Sequence, residues 1–315
     1  MHLINNFFLT LKREGLLKTL KASKNHISSK VLKTLGFKTI IKKIYTYRMI
    51  LDLYDKGISR TLILFGEREL EHKFMLEQVI KPGMRILDIG ANIGYYAIME
   101  SLLIGKSGNL IAVEPSNSNI NLLKKNLELN NIKNYQIHEG AISDTDTYKK
   151  FFLSNMSNLN TFHNIGTGKA FLNGETIKVK TYTIKTILKG EELDLMRMDV
   201  EGHEVEVLNG LINSKNEIKK LPMIIFETHI SRYNEEHNFE NTLNKLFNLG
   251  YFVSMVGSSS IRGSNTVEKY GYKSKKTIKS DGEIRKIFTN IKNKDAIDLI
   301  CHKGGLRTVL LKPSI

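Results

Sequence analysis

Cysteine is almost missing from this chain: Cys301 is the only one among 315 residues. A lone thiol forms no intrachain disulfide and cannot build a cysteine-based zinc site. The fold must therefore rest on its core, as expected in a reducing compartment such as the cytoplasm. Long apolar runs are missing too. None reaches the roughly 18–20 residues that span a bilayer. The first residues, Met1 to Leu9, have no leading positive region and no small-residue cleavage site, so no secretory leader is expected. Acidic residues are scarce at the two ends. Residues 1–50 hold 11 Lys and Arg against one acid, and residues 260–315 hold 13 against five, around a slightly acidic middle. A basic groove through the centre of the molecule is thereby disfavoured, and nucleic acid is not the expected partner. Two readings of the basic flanks stay open: contact with something anionic, such as a membrane surface or glycolipid, or a solvated surface.

With 41% hydrophobic and 25% charged residues, the chain has the composition of an ordinary folded protein. Residues 1–75 read as a basic helical extension. Ile4, Phe7, Phe8 and Leu11 recur at helical spacing, Leu16, Leu17 and Leu20 follow, and lysines and Arg13 fill in between. This pattern suits either an interfacial helix at a membrane or a helix packed on the main domain. Residues 41–54 read as a further helix. From Pro82 the texture changes to strands alternating with helices, which predicts a parallel α/β sheet. Strands are expected at 85–89, 110–113, 135–138, 195–198 and 223–226, with last strands at 251–256 and 308–311. The main domain spans 76–256. Residues 257–303 form a polar Ser- and Lys-rich insertion with a helix, too long for an ordinary connection. Residues 304–315 return as the last strand.

The first strand ends in Asp88-Ile89-Gly90-Ala91-Asn92-Ile93-Gly94. Ligands of open parallel sheets bind at the carboxyl ends of the strands. Glycines there allow a tight turn and close approach of the backbone to a ligand. An acid such as Asp88 can accept hydrogen bonds from an ammonium group or from water. A dinucleotide fingerprint would carry glycine where Asn92 stands, and an acid before the loop suits a diphosphate poorly. Glu114 falls at the end of the second strand, where a carboxylate accepts ribose hydroxyls. Strand, glycine loop, helix, strand and acid together predict an adenosine site.

These residues resemble the FkbM family of S-adenosylmethionine-dependent methyltransferases, over roughly residues 66–256. The matching elements are 88–94, Glu114-Pro115, Ala141-Ile142-Ser143-Asp144, Arg197-Met198-Asp199-Val200-Glu201-Gly202-His203-Glu204, Val207-Leu208-Asn209-Gly210 and Phe226-Glu227-Thr228-His229. The resemblance implies the class I methyltransferase fold, a Rossmann-like, seven-stranded, mostly parallel α/β sheet with flanking helices. It implies S-adenosylmethionine held across strands one to three. Gly90 and Gly94 would line its methionine and ribose, Glu114 would hold the ribose, and Ala141 to Ser143 would lie beside the adenine. One departure is visible: Thr183-Ile184-Lys185-Thr186 stands where the family has an acidic turn.

Methyl transfer to a hydroxyl requires aligned reactants and a group that removes the proton. Asp199, Glu201, His203 and Glu204 follow the fourth strand, and Glu227 and His229 follow the fifth. Neighbouring parallel strands would bring them to one cleft. Asp199 and Glu227 could hold a magnesium ion with waters, and His203 or His229 could act as base. The expected activity is O-methylation of a sugar hydroxyl on a glycan, glycolipid or glycosylated metabolite. The alternatives are a carboxylate or amine of a small metabolite, or nucleic acid. The amides and hydroxyls of residues 154–161 suit a sugar.

Overall fold

The structure, a computed structural model, describes residues 2–164 and 172–314, with side chains from Phe7 onward. The side chain of Ile4, expected in the first helical stripe, lies outside the described ones.

The chain opens with α1 (His2–Glu14) and α2 (Leu16–Thr34), then β1 (Thr39–Ile44), β2 (Tyr47–Asp52), α3 (Ile58–Phe65) and α4 (Leu70–Val79). The segment 41–54, expected as a helix, is a two-stranded antiparallel hairpin with Ile44 opposite Tyr47. The period of burial is two: Tyr47, Met49 and Leu51 are buried, while the residues between them are not. Asn126 accepts the Ile50 amide and Asn130 the Arg48 amide, so a later helix satisfies part of the hairpin's outer edge.

The main unit follows as β3 (Arg85–Ile89), α5 (Tyr95–Ile104), β4 (Asn109–Glu114), α6 (Asn117–Leu129) and β5 (Tyr135–Glu139). An excursion of β6 (Ala141–Ile142), β7 (Thr147–Ser154) and β8 (Leu172–Tyr182) makes a separate three-stranded sheet. Then come α7 (Ile184–Leu188), β9 (Leu195–Met198), α8 (Glu204–Asn213), β10 (Met223–Glu227), α9 (Phe239–Asn248) and β11 (Tyr251–Ser258). The chain continues through α10 (Ile261–Lys269), β12 (Lys276–Ser280), β13 (Glu283–Thr289), α11 (Asn293–Ile297) and β14 (Leu306–Pro313).

The large sheet runs β12-β13-β11-β14-β10-β9-β3-β4-β5. Strands β5, β4, β3, β9 and β10 are mutually parallel, and β14 lies antiparallel between β10 and β11. The seven strands from β5 to β11 have the class I methyltransferase order. The sheet has nine strands, not seven, because residues 257–303 are not a separate polar insertion. Their β12–β13 hairpin extends the sheet beyond β11, turning at Asp281 and Gly282 with φ of +52° and +76°. That pair of positive angles matches the twist of a two-residue hairpin. The polar residues of the segment are used inside it: buried Arg285 pairs with Glu71 at 2.6 Å and with Asp281 at 3.0 Å.

Alternation along the central strands divides the core into two layers. Leu87, Ile89, Met196, Met198, Ile224 and Phe226 pack on one face against α7, α8 and α9. Ile86, Leu110, Leu195 and Ile225 pack on the other with α3 to α6. At roughly 25 cal/mol per Å² of apolar surface, these two layers supply most of the drive to fold. No helix among the described residues is long and apolar enough to cross a membrane.

Candidate active site

Strand order reverses between β3 and β9, so the crevice at their carboxyl ends is where a ligand is expected. A cleft opens there, lined by residues of both strand ends, among them Ile89, Gly90, Asp199 and Glu201. Gly90 (φ +77°) makes the turn out of β3, and a side chain on it would sit 2.2 Å from the Asp199 carbonyl oxygen. Only glycine lets the β3 and β9 loops touch. Asn92 follows in the left-handed region (φ +51°), which asparagine tolerates. Its side-chain oxygen accepts the Ile93 amide, and its Nδ2 donates to the Ser157 carbonyl.

Glu114 closes one side of this cleft. Its carboxylate accepts from the amides of Asn92 (2.9 Å) and Ser116 (3.0 Å) and from Asn119 Nδ2 (3.1 Å). Burial pushes its carboxyl up to about 7, against the pull of those donors. Ala141, Ile142, Phe151 and Phe162 form an apolar wall beyond it, a slot suited to a flat base. Ser157 and Asn158 lie across the opening. The Ser157 turn is clamped by Asp55, which accepts from its amide and hydroxyl, and by Asn92 and Asn119, which donate to its carbonyl.

Not every residue expected at the cofactor reaches the cleft. Gly90, Asn92, Glu114 and Ala141 line it. Gly94 (φ +93°) starts α5, where a side chain would strike Leu123. Ser143 is buried behind the wall, bonded to His203 and Lys149. Asp88 is fully buried and does not line the cleft: its Oδ1 is paired with Arg197 at 3.1 Å, and its Oδ2 has no hydrogen-bond partner among the described residues.

The expected catalytic residues divide into two groups. His229 Nδ1 lies 2.9 Å from Glu204 Oε1, while its Nε2 faces Glu201 at 3.6 Å and Asp199 at 3.9 Å. Burial opposes charge on His229, but the carboxylates of Glu204, Glu201 and Glu227 outweigh it and raise the imidazole well above its ordinary value. Burial likewise pushes Glu201 up to about 8. Arg197 holds Asp199 Oδ2 at 3.3 Å, and the buried Oδ1 has no hydrogen-bond partner among the described residues.

His203 stands apart from this array. It stacks on Phe162 with ring centres 4.4 Å apart, and its nitrogens meet Ser143 Oγ and the Glu206 carboxylate. Burial pushes it down to about 4, so it is a neutral wall residue whose two nitrogens are both engaged. Glu227 is held by Arg307, with Nε 3.0 Å from Oε1 and Nη2 3.4 Å from Oε2. The side chains whose potential ligand atoms lie within 4.8 Å of one another among the described residues are Asp199, Glu201 and His229, and Glu227 is not in this group. Arg307, Asp55, Phe151 and Phe162 lie on other strands and loops, and no local pattern in the sequence marks them; Arg197 stands in the motif that runs into Asp199, but its role as the partner of Asp88 emerges only from the fold. Cys301 is partly buried, and burial pushes its thiol up to about 12, which makes it unreactive.

A sheet of this order, with a glycine turn after the first strand and an acid after the second facing one cleft, defines the class of S-adenosylmethionine-dependent methyltransferases. The family described as methyltransferase FkbM domain matches residues 88–253, more than half of the chain, and the chain belongs to that family. The protein-L-isoaspartate(D-aspartate) O-methyltransferase family also matches, over residues 14–145, a stretch that ends before the Asp199 loop. Ribosomal protein L11 methyltransferase of Acetivibrio thermocellus is 29% identical over 76 residues, 24% of this chain and 24% of that protein. The match thus spans about a quarter of that relative's length. Among solved structures, precorrin-6y C5,15-methyltransferase of Geobacter metallireducens is similar at 13% identity and TM-score 0.38, covering 78% of this chain and 88% of that one. A SAM-dependent O-methyltransferase of Thermotoga maritima is similar at 13% identity and TM-score 0.37, covering 78% and 65%.

Proposed function

We propose that this chain transfers the methyl group of S-adenosylmethionine to a sugar hydroxyl of a glycan, glycolipid or glycosylated metabolite. The observation that carries this reading is the array of Glu204, His229, Asp199 and Glu201, whose last two members line the cleft. A carboxylate acceptor needs no proton removed, whereas a hydroxyl does; His229 serves that need in its neutral form, which the surrounding carboxylates disfavour, so on this reading turnover rises with pH. Glu204 fixes the ring of His229 and Arg197 fixes Asp199, so both are placed before a substrate arrives. A neighbouring groove supports a sugar acceptor: it shares Ser157 and Asn160 with the cleft and is lined further by the polar side chains of Ser118, Asn121, Asn155 and Asn173.

The same array fits a magnesium ion. Asp199 Oδ1, which has no hydrogen-bond partner among the described residues, and the Glu201 carboxylate would hold it with waters, while Glu204 keeps the His229 ring oriented beside them. A bound magnesium ion would polarise the acceptor hydroxyl.

The test is transfer of labelled methyl from S-adenosylmethionine into fractionated glycans, lipids, protein and RNA. Label confined to protein or RNA would refute the sugar reading. His229→Asn should lower turnover by about 10²–10⁴-fold while binding of S-adenosylhomocysteine, read by calorimetry, stays unchanged. Chelation should abolish turnover and magnesium restore it; activity indifferent to both would remove the metal from the proposal.

A further inference from the structure

The second helix is inside out. Leu17, Leu20, Lys24, Ile27 and Val31 follow the three–four spacing of a single helical stripe. In a helix packed on a core, the apolar members of such a stripe would be buried. Here they face solvent: Leu17 is 84% exposed, Ile27 63% and Val31 53%. The face turned to the protein carries Thr19, Ala22 and Asn25 instead, with Asn25 Nδ2 donating to the Leu64 carbonyl at 3.0 Å. Polar and small residues, joined by Leu32 near the helix end, thus dock α2 on the protein, and Leu17 and Leu20 are left over. The exposed apolar surface continues through Phe8 on α1 and through Leu35 just past the end of α2.

The charge around this surface identifies its occupant. Residues 1–50 carry 11 Lys and Arg against one acid. That acid, Glu14, is shared with Lys18, which also reaches Glu67. Lys21, Lys24 and Lys30 stay exposed on the helix beside the apolar side chains. A second copy of the chain would bring the same positive surface against itself and be repelled. A polyanion without apolar surface would leave the leucines in water. An anionic phospholipid bilayer takes both: apolar side chains enter the acyl boundary and lysines stay at the phosphates.

We infer that α1 and α2 form a docking face for an anionic membrane surface, on which the chain lies without crossing. The full-length protein should co-sediment with vesicles of equal parts phosphatidylcholine and phosphatidylglycerol, and should bind vesicles of phosphatidylcholine alone much more weakly. Raising the salt should weaken binding to the anionic vesicles. Leu20→Glu with Ile27→Glu should cut that binding about tenfold or more. Lys21→Glu with Lys24→Glu should also weaken it and should blunt its salt dependence. All four positions are exposed, so S-adenosylhomocysteine binding should persist in both variants and report an intact fold. Two results would overturn the inference. One is vesicle binding that is absent or unchanged in the Leu20/Ile27 variant. The other is a dimer in sedimentation that this variant dissociates, which would assign the face to a second copy.

Discussion

Asp88 and Arg197 stand directly opposite each other in the parallel pair β3 and β9, on the same face of the sheet, with Oδ1 and Nη1 3.1 Å apart. The guanidinium also reaches Asp199 Oδ2 and lies 4.2 Å from the centre of the Tyr96 ring. One buried cation therefore binds one oxygen of the acid that opens the family's first motif and aims the acid that ends the fourth strand. Removing a single partner of a buried pair leaves the other charge stranded, at a cost of about 3–5 kcal/mol. Arg197→Met should lose stability of that order in urea unfolding, and the double variant Asp88→Asn, Arg197→Met should recover most of it. An Arg197→Met protein as stable as the parent would show that the pair is not held as described.

Glu100, on α5, is fully buried beside this pair, and neither of its carboxyl oxygens has a hydrogen-bond partner among the described residues. Burial first, and the charge of Asp88 second, raise its carboxyl well above the ordinary value of 4.5. The folded state therefore binds this proton more tightly than the unfolded state does. The associated stability is fully present below about pH 4.5 and is lost as pH rises. Glu100→Gln, which stays neutral, should be more stable than the parent at pH 8, with a gain that shrinks toward pH 5. Denaturant midpoints at the two pH values check this, and a gain independent of pH would count against it.

Glu114 makes a functional prediction of the opposite sign. With its carboxyl near 7 in the free protein, ionisation is completed just above neutrality. The ionised form offers more acceptor sites to two ribose hydroxyls, so binding releases a proton and tightens with pH. The dissociation constant of S-adenosylhomocysteine should fall between about pH 6 and pH 8 and level off above. Glu114→Gln should weaken binding about tenfold or more and should flatten the pH profile. A parent profile without slope would show that Glu114 does not meet the ribose as an anion.

Much of the fold was legible because its causes are local. Apolar runs at 85–89, 110–113, 195–198 and 223–226 lie where the parallel strands are, since strands buried on both faces read as continuous apolar segments. The β1–β2 hairpin was not legible. Its two-residue turn puts Tyr45 at φ +52° without glycine or asparagine, and its apolar residues also fit a helical spacing. The β12–β13 hairpin carried a readable sign in Asp281-Gly282, masked by the polar composition around it. Within the site, residues near one another in sequence were read together, and partners from distant strands were invisible. That is why Asp88 was expected at the cofactor: its register against Arg197 is a property of the pairing between β3 and β9, not of either strand alone.

The sequence by itself determined the class of sheet, the glycine turn at Gly90, the acid at Glu114 and the pool of acids and histidines after the fourth and fifth strands. These follow from hydrophobic period, glycine's conformational freedom and charge, which are local properties. Only the tertiary structure decided how that pool divides. Arg197 takes Asp88 and orients Asp199, Arg307 takes Glu227, Phe162 takes His203, and His229 is left facing Asp199 and Glu201. The reason is physical: a buried ionisable group is defined by whichever neighbour compensates its lost hydration, and those neighbours arrive from strands up to about a hundred residues away in the chain.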